Sequence, residues 1–307
     1  MRLNQIRKKD PRVAIAKTDV GIKKALREAL NNIGGLSKFV KKGETVFVKP
    51  NLTGDRSPST AAVTNPEVTK ALIELIYEQD PKEVFLGDSP SWGFDAEKTY
   101  DVTGTRLVAQ ETGCTLVNLD KGEAADCPIP GAMRLKKAKI AKQVLECDKI
   151  INVPVMKTHM QCFISAGLKN MKGVLPLRWK VVLHHLKGID GYSGLEAGVG
   201  DLHRLISPDL TVVDGTLAME GRGPFDGDPV KMDIIIAGEN EVLVDVVCAK
   251  VMGFDPESIP TITLCAKIDG ISLADLVSKG VPIEEVKKNL KPCPTSVDAG
   301  ESIRVIT

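Results

Sequence analysis

The most constraining feature of this sequence is an alternation of short apolar runs with amphipathic helical stretches. The apolar runs at residues 12–17, 45–49 and 83–87 are typical of buried strands. Apolar residues recur at helical spacing over residues 20–33, and Pro66 opens a second stretch of the same kind. Strands that alternate with helices predict an α/β fold: a mostly parallel wound sheet with helices on both faces.

The rest of the chain continues this pattern less regularly. Further strands are predicted at residues 114–118, 149–155, 210–213 and 232–236, and helices at 99–111, 241–252, 272–279 and 283–289. Residues 120–139 are irregular and predict a hairpin or an insertion. With 307 residues, the chain is long enough for one large domain or two smaller ones. We expect a single domain over residues 1–307; the alternative is a second, smaller lobe that begins near residues 120–160.

The charge balance excludes several classes of partner. The net charge is +1 and aromatic residues make up 4% of the chain, which does not favour nucleic-acid binding. No run approaches the roughly 18 apolar residues that cross a bilayer. The basic N-terminus has no apolar core behind it, as a signal peptide would. We therefore expect a cytoplasmic protein without nucleic-acid or membrane partners; a homo-oligomer is compatible with the sequence.

Seven widely spaced cysteines, with no C-x-x-C pair, argue against a disulfide framework and against a cysteine-built zinc or four-iron site. Most of them are expected to be small core residues. Cys162 is the exception, because it lies in the stretch with the most unusual charge.

Residues 149–189 contain no Asp or Glu but seven Lys and Arg residues, and three of the four histidines. Forty acids in 307 residues would place about five in such a window. A cation-rich stretch without acids predicts an anionic ligand, such as a carboxylate or a phosphate. The alternative is a solvated basic face.

Two segments of this stretch carry the candidate chemistry. Lys157 and His159 are predicted to follow a strand directly, and burial can tune either group toward proton transfer near neutral pH. The glycine-bounded segment 167–173 is predicted to be a loop that presents Lys169, Asn170 and Lys172 to an anion. Because G-x-x-x-x-G-K-[ST] and G-x-G-x-x-G are both absent, no nucleotide cofactor is predicted.

Polar residues also follow two predicted strands, where α/β folds bind their ligands. Lys49 and Asn51 follow one strand, and Asp88 and Ser89 follow the next. We predict that all four contribute to the anion site, with turn chemistry alone as the alternative.

A third set of polar residues lies further along the chain. Asp214, Glu220 and Arg222 lie on a glycine-rich segment after another strand and are further candidates, with a plain surface turn as the alternative. Asp245 stands in an apolar helix, where a carboxylate requires a partner; it is either a structural partner or a site residue.

Histidine is the commonest transition-metal ligand, so a metal site is a further hypothesis. Its candidate ligands are His159, His184, His185 and Cys162, and His203, which lies shortly after the acid-free stretch, could join the histidines. Adjacent histidines on a helix point about 100° apart, which makes it hard for His184 and His185 to reach one ion.

At these residues the chain resembles the DUF362 proteins of bacteria and archaea. The matching pieces are VKPNL, GDSP, NVPVMKTH, GLKNMKG, VVDGTLAMEGRGP and VLVDVVCAKVMG, in order along nearly the whole chain. The resemblance implies one family-wide domain and no defined activity. Some members carry a ferredoxin-type segment with clustered cysteines, which this chain lacks. The Lys-Thr-His piece and the lysine-bearing glycine segment are also similar in layout to nickel-pincer lactate racemases, which bind a pyridinium-based nickel cofactor.

The leading hypothesis is an enzyme that acts on a small carboxylate or phosphate by proton transfer or isomerase-like chemistry. Lys157 or His159 would move the proton, with Asp88, Asp214 or Glu220 as orienting acids and metal or organometallic assistance as an option. The alternatives are an iron–sulfur or metal-centre carrier that uses Cys162, and a non-catalytic binding protein for an anionic metabolite.

Overall fold

The computed structural model describes residues 9–294, without the side chains of Leu177 and Arg178. Most of the N-terminal segment from which the absence of a signal peptide was predicted lies outside the described residues, as does the side chain of Arg178, one of the seven cations of the acid-free stretch. None of the described helices is both long and apolar enough to cross a membrane.

The strands of the described part of the chain are β1 Arg12–Lys17, β2 Thr45–Pro50, β3 Glu83–Leu86, β4 Thr115–Leu116, β5 Ala124–Pro128, β6 Lys137–Ala141, β7 Lys149–Val153, β8 Val155–His159, β9 Phe163–Ser165, β10 Leu210–Glu220, β11 Asp228–Gly238 and β12 Val277–Gly280. The α-helices are α1 Ile22–Asn32, α2 Pro66–Tyr77, α3 Ala96–Val102, α4 Thr105–Thr112, α5 Lys142–Glu146, α6 Gly167–Asn170, α7 Leu177–His184, α8 Gly194–Leu205, α9 Glu241–Val251, α10 Pro260–Asp269 and α11 Ile283–Val286.

The main sheet has the strand order β12-β1-β11-β10-β7-β2-β3-β4, with β8 beside β10 and β9 beside β8. Strand β11 runs antiparallel to both of its neighbours, and β9 runs antiparallel to β8. The other pairings in this sheet are parallel. The predicted fold class, an α/β fold with a mostly parallel sheet, is confirmed.

Both faces of the sheet are buried, as the apolar strand runs predicted. Along β1, Val13 and Ile15 pack into one hydrophobic cluster while Ala14 and Ala16 pack into another. Successive side chains of a strand point to opposite faces, so the two clusters lie on opposite sides of the sheet. The apolar stripe of α1, which includes Leu26 and Leu30, covers the second face.

Several local predictions are wrong in detail. The helix predicted over residues 272–279 is a short 3₁₀ turn followed by β12, because Ser272 caps the turn and the exposed edge strand has no apolar pattern. The helix predicted over 99–111 is two helices, separated at Gly104, whose φ is 75°. The irregular stretch 120–139 does contain a hairpin, formed by β5 and β6.

Two corrections bear on the site. Residues 157–159 do not follow a strand; they form the end of β8. Residues 167–173 are not an open loop but α6, continued by a 3₁₀ turn. The lysines of this segment are therefore held on helical backbone, which fixes their direction more firmly than a loop would.

Candidate functional site

A cavity of about 250 Å³ opens at the carboxyl ends of β2 and β3, beside β8 and α6. Ligands of open α/β sheets bind at this edge. The volume suits a small metabolite, since drug-sized ligands occupy about 300–1,000 Å³. Its polar lining is Asn51, Thr53, Asp88, Ser89, Ser91, Lys157, His159, Ser165, Lys169, Asn170, Lys172, Lys180 and His184.

An ion pair forms the floor of this site. Lys49 Nζ lies 2.8 Å from Asp88 Oδ1, and both side chains are buried. The second oxygen of Asp88 accepts the backbone N–H of Leu52 at 2.8 Å. Gly173 packs directly on this pair: a Cβ there would overlap Asp88 Oδ1 and lie 2.6 Å from Lys49 Nζ. The glycine therefore serves close packing against the ion pair, and Asp88 is already neutralised before any ligand binds.

Lys157 lies at the wall of the cavity and is 1% exposed. Its Nζ donates to Thr53 Oγ1 at 2.7 Å and to the carbonyl oxygen of Ala62 at 2.8 Å. Burial and the neighbouring Lys169 hold the pKa of Lys157 well below its usual value. No carboxylate forms an ion pair with Lys157 among the described residues.

His159 has a defined tautomer in its neutral form. Its Nδ1 accepts the backbone N–H groups of Gln161 and Cys162, at 3.0 and 3.3 Å. This pattern assigns the proton to Nε2. Burial, and then Lys169 and Lys157, hold the pKa of His159 well below its ordinary value, which favours the neutral ring. His159 can therefore donate a hydrogen bond from Nε2 to a ligand.

Lys169 and Lys172 lie three residues apart on α6 and the turn that follows it. Lys169 has no hydrogen-bond or ion-pair partner among the described residues, and burial lowers its pKa. Lys172 Nζ contacts His184 Nε2. Burial and the charges of Lys169 and Lys180 lower the pKa of Lys172 to about 6.

Lys180, on α7, is a site residue that the sequence did not single out. Its Nζ contacts the carbonyl oxygen and the hydroxyl of Ser89 and lies 2.5 Å from the carbonyl oxygen of Pro90. Ser89 in turn donates to Asp120. Three acceptors suit an ammonium group, although burial lowers the pKa of Lys180 to about 7. Lys180 belongs to the acid-free stretch, but nothing in the sequence distinguished it from the other lysines there.

Asparagines connect the strands beneath the cavity. Asn170 donates to Asn152 Oδ1 at 2.7 Å, and Asn152 donates to the carbonyl oxygen of Gly167 at 3.0 Å. Asn51 donates to Thr53 Oγ1 at 2.6 Å. These amides hold β2, β7 and α6 in register around the lysines.

Electrostatically the cavity is unbalanced. Four lysines line it: Lys157, Lys169, Lys172 and Lys180. Among the described residues that line it, Asp88 supplies the carboxylate, which is already paired with Lys49. Burying cations without counter-charges is unfavourable unless a ligand supplies them.

The structure brings together most of the predicted site residues, but not all. Asn51, Asp88, Ser89, Lys157, His159, Lys169, Asn170 and Lys172 line one cavity, with Lys49 directly beneath Asp88.

The predicted anion-binding roles of Asp214, Glu220 and Arg222 receive no support from their positions. These residues do not line the cavity, because β10 continues through residues 214–220 and carries them past it. Asp214 instead accepts hydrogen bonds from Asn65 and Thr216, Glu220 pairs with Lys291, and Arg222 is exposed.

Asp245 was predicted to be either a structural partner or a site residue, and its contacts support the structural role. Its carboxylate accepts the backbone N–H groups of Gly167 and Leu168, at 2.6 and 3.1 Å, at the start of α6. Burial raises its pKa to about 8, against the effect of these two donors. It does not line the cavity, so its contribution is to anchor the segment that carries Lys169 and Lys172.

The four predicted metal ligands do not form one site. His159 and His184 line the cavity, whereas His185 and Cys162 do not. Cys162 is packed in the hydrophobic core, where burial raises the pKa of its thiol to about 12. Within residues 9–294, no group of three or more His, Cys, Asp or Glu side chains is placed to hold a metal ion. The described side chains therefore do not fit a protein-ligated metal centre.

The mouth of the cavity is apolar and aromatic. Trp92 is 71% exposed, and Phe225 stacks on Phe94 with ring centroids 5.9 Å apart. Trp92 and Phe225 both line the opening, as does Pro224. These residues were not predicted from the sequence, because they lie in loops without periodicity.

Comparison with known proteins identifies the class to which this fold and site belong. The model of the family described as "domain of unknown function (DUF362)" matches residues 46–250. The chain belongs to this family, as its motifs predicted. It is also 32% identical over 237 residues to the thylakoid-associated protein sll1697 of Synechocystis sp., an alignment that covers 77% of this chain and 72% of that protein.

Two solved structures resemble this chain at low similarity. The lactate racemase apoprotein of Thermoanaerobacterium thermosaccharolyticum has a TM-score of 0.46 at 15% identity, over 78% of this chain and 56% of that one. A protein from Thermotoga maritima has a TM-score of 0.40 at 16% identity, over 80% of this chain and 58% of that one. The chain thus spans just over half the length of the solved structures it matches.

Proposed function

We propose that this DUF362 protein is an enzyme that binds a small carboxylate or phosphate and moves a proton on it. One observation carries the proposal: four lysines line a cavity of about 250 Å³ whose carboxylate is already paired with Lys49. A ligand with one or two negative charges would supply the missing counter-charge. Binding would then raise the pKa of each lysine that it contacts.

Lys157 is assigned as the proton acceptor. A neutral amine has two N–H groups and one lone pair, and Lys157 has two acceptors, Thr53 Oγ1 and the carbonyl oxygen of Ala62. Both N–H groups are thus used, and the lone pair remains for a proton from the ligand. The lowered pKa of Lys157 favours this neutral form.

His159 is assigned as a hydrogen-bond donor rather than as a base. Its Nδ1 is occupied by two backbone N–H groups, so the neutral ring presents Nε2–H. Such a donor can stabilise negative charge that develops on an oxygen when the proton leaves an adjacent atom. Lys169, which has no partner among the residues that the structure describes, would bind an anionic group of the ligand.

Isotope exchange tests this proposal without knowledge of the natural substrate. The protein would be incubated in D₂O with a panel of small carboxylates and phosphate esters, and loss of C–H signal would be followed by proton NMR. Lys157→Met should lower the exchange rate about 10²–10⁴-fold, because positioned acid–base groups contribute that much. His159→Gln retains a side-chain donor and should lose less.

Binding measured on the same samples separates the alternatives. Thermal stabilisation by a ligand with no exchange in the wild-type protein would overturn the proton-transfer role and leave a non-catalytic binding protein. No stabilisation by any anion would overturn the site itself. A metal-centre carrier has less support, since the cysteines of the described residues are each buried and belong to no group of three or more possible metal ligands.

A further inference from the structure

The contacts of Lys172 differ from those of the other lysines that line the cavity. Lys169 has no partner among the described residues, and Lys157 and Lys180 donate to oxygen atoms. Lys172 instead meets a ring nitrogen, Nε2 of His184. An anion-binding lysine does not need a nitrogen acceptor; a lysine that must lose a proton does.

The tautomer of His184 supports this distinction. His184 Nδ1 lies 3.2 Å from Gln161 Oε1, an amide oxygen that can only accept. The proton of the neutral ring is therefore assigned to Nδ1, and Nε2 carries the lone pair that faces Lys172. Partial burial of the ring, and then the charges of Lys172 and Lys169, lower the pKa of His184 to about 4, which is consistent with a neutral ring.

Lys172, His184 and Gln161 thus form a nucleophile, a base and an orienting group within hydrogen-bond reach of one another. This is the general arrangement of an activated nucleophile. Lys169 lies three residues from Lys172, and a neighbouring cation is one of the known means of keeping an amine neutral. The backbone N–H of Gln161 also bonds His159, so one residue positions both histidines.

We propose that Lys172 forms an imine with the carbonyl carbon of a small carbonyl-bearing anion, such as a 2-oxo carboxylate. This inference rests on the proposed anion site and names its substrate class. Lys172 Nζ attacks the carbonyl carbon, a C–N bond forms, and the π pair moves to oxygen, which takes up a proton from solvent water. His184 Nε2 removes a proton from nitrogen and then returns it to the hydroxyl group, which leaves as water while the nitrogen pair completes the C=N bond of a protonated imine.

No oxidant or reductant takes part in this step: one carbonyl, one neutral amine and one proton from solvent give one protonated imine and one water. The positive charge of the protonated imine makes a C–H bond next to it more acidic. Lys157 lines the same cavity and has a free lone pair in its neutral form. The imine would therefore prepare the ligand for the proton transfer assigned to Lys157.

Borohydride trapping tests the inference directly. The full-length protein would be incubated separately with glyoxylate, pyruvate and 2-oxoglutarate, reduced with sodium borohydride, and analysed by intact mass and peptide mapping. We expect an adduct on the peptide that contains Lys172. Lys172→Arg retains a positive charge but not an amine, and should lower trapping at least tenfold. Lys149→Arg, in the same acid-free stretch but paired with Glu44 outside the cavity, should leave trapping unchanged.

A second variant tests the base. His184→Asn should slow the formation of the adduct at pH 7 at least tenfold. The difference should narrow as the pH rises, because hydroxide then removes the proton from the nitrogen that has attacked the carbonyl carbon without assistance.

The outcomes separate this inference from the proposed function. Thermal stabilisation by the oxo acids with no adduct, or with adducts on other lysines alone, would overturn the imine and leave the anion site intact. Neither stabilisation nor adduct would overturn both. Peptide mapping of the wild-type protein decides the position even if a variant fails to fold.

Discussion

His159 and His203 are both almost fully buried, at 3% and 5% exposed, but they lie in regions of opposite charge. His159 faces Lys157, Lys169 and Lys172, and its pKa is held well below the ordinary value. His203 Nδ1 lies 2.6 Å from Glu241 Oε1 and its Nε2 lies 2.9 Å from Asp269 Oδ1. These two carboxylates raise the pKa of His203 to about 9, against the effect of burial.

The difference distinguishes buried polar groups that stabilise the fold from those that await a ligand. His203 lies on α8, Glu241 begins α9 and Asp269 ends α10, so the cluster joins three helices through compensated charges. The lysine cluster around His159 lacks such compensation. Buried lysines without counter-charges are costly to keep protonated, and a cluster of lysines with lowered pKa values beside a cavity argues for function.

The largest effect that the comparison predicts is on stability. His203→Ala leaves Glu241 and Asp269 without their shared partner and should lower the free energy of unfolding by about 3–5 kcal/mol. His159→Ala removes one acceptor of two backbone N–H groups and should cost about 1 kcal/mol. Urea unfolding of both variants at pH 7 measures the difference. Equal losses would show that the lysine cluster also stabilises the fold.

The contribution of His203 should also depend on pH. Its folded-state pKa, about 9, lies above the value of about 6.5 for an unfolded histidine, so its stabilisation is complete below about pH 6.5 and is lost as the pH rises through 9. The difference corresponds to about 3 kcal/mol.

Unfolding of the wild-type protein and of His203→Gln at pH 6.5, 8 and 9.5 should show that the difference between their free energies of unfolding becomes smaller as the pH rises. The groups that raise the pKa of His203, and so determine this difference, are Glu241 on α9 and Asp269 on α10. For His159 the sign is opposite: its folded pKa is lowered, so its effect appears only as the pH falls through 6.5, and His159→Gln should show no such trend above that pH. A gap that stays constant for His203→Gln would contradict the charged pair.

The sequence predicted one side of this comparison better than the other. Lys157, His159 and Lys49 could be recognised because they lie in or next to short apolar strands of a parallel sheet, whose carboxyl ends meet at one edge. The acid-free stretch predicted that the site is positively charged without any knowledge of its contacts. Lys180 could not be selected, because its role depends on how α7 packs over Ser89 and Pro90.

The His203 cluster was not predicted, because its three members are 38 and 28 residues apart in the chain and each is ordinary locally. Asp214 and Glu220 were placed in the site because the strand was expected to end at residue 213. The strand continues because β10 and β11, each 11 residues long, pair along most of their length, and glycines at 215 and 221 concealed this in the sequence. Pairing between strands is a property of the fold that local spacing does not encode.

A smaller effect, of opposite sign to that of His203→Ala, is expected at Lys169. Lys169→Met removes a half-buried cation that has no described partner and should raise the free energy of unfolding by about 1 kcal/mol in the absence of ligand. The same variant should bind small anions at least tenfold more weakly, since a charge-assisted hydrogen bond contributes about 1.5–3 kcal/mol.

Lys187→Met, at an exposed position of the same stretch, provides the control and should change stability by less than about 0.5 kcal/mol. Chemical unfolding and calorimetric titration with malonate would be run on both variants. If the Lys169→Met protein were less stable than the wild-type protein and bound malonate equally well, Lys169 would stabilise the fold, as His203 does, and would not bind the ligand.

The smallest predicted effect is the pH dependence of anion binding, and it tests the uncompensated region most directly. Lys172 faces Lys169, Lys180, His184 and Cys162, and in the ligand-free protein its pKa is about 6. A bound anion raises that pKa, so above pH 6 binding takes up a proton and the affinity falls as the pH rises, by at most about tenfold per unit for one proton. Malonate is fully ionised above its own titration range, so titrations at pH 6.5, 7.5 and 8.5 in buffers of different ionisation enthalpy would report proton uptake by the protein alone. Lys172→Arg, which stays charged throughout, should bind with a weaker pH dependence than the wild-type protein; Lys180, whose pKa is about 7, still titrates in this range. If the affinity of the wild-type protein for malonate had the same pH dependence as that of Lys172→Arg, Lys172 would already be charged in the free protein. The regions around His159 and His203 would then differ in the partners of the histidines, but not in whether they favour or oppose protonation.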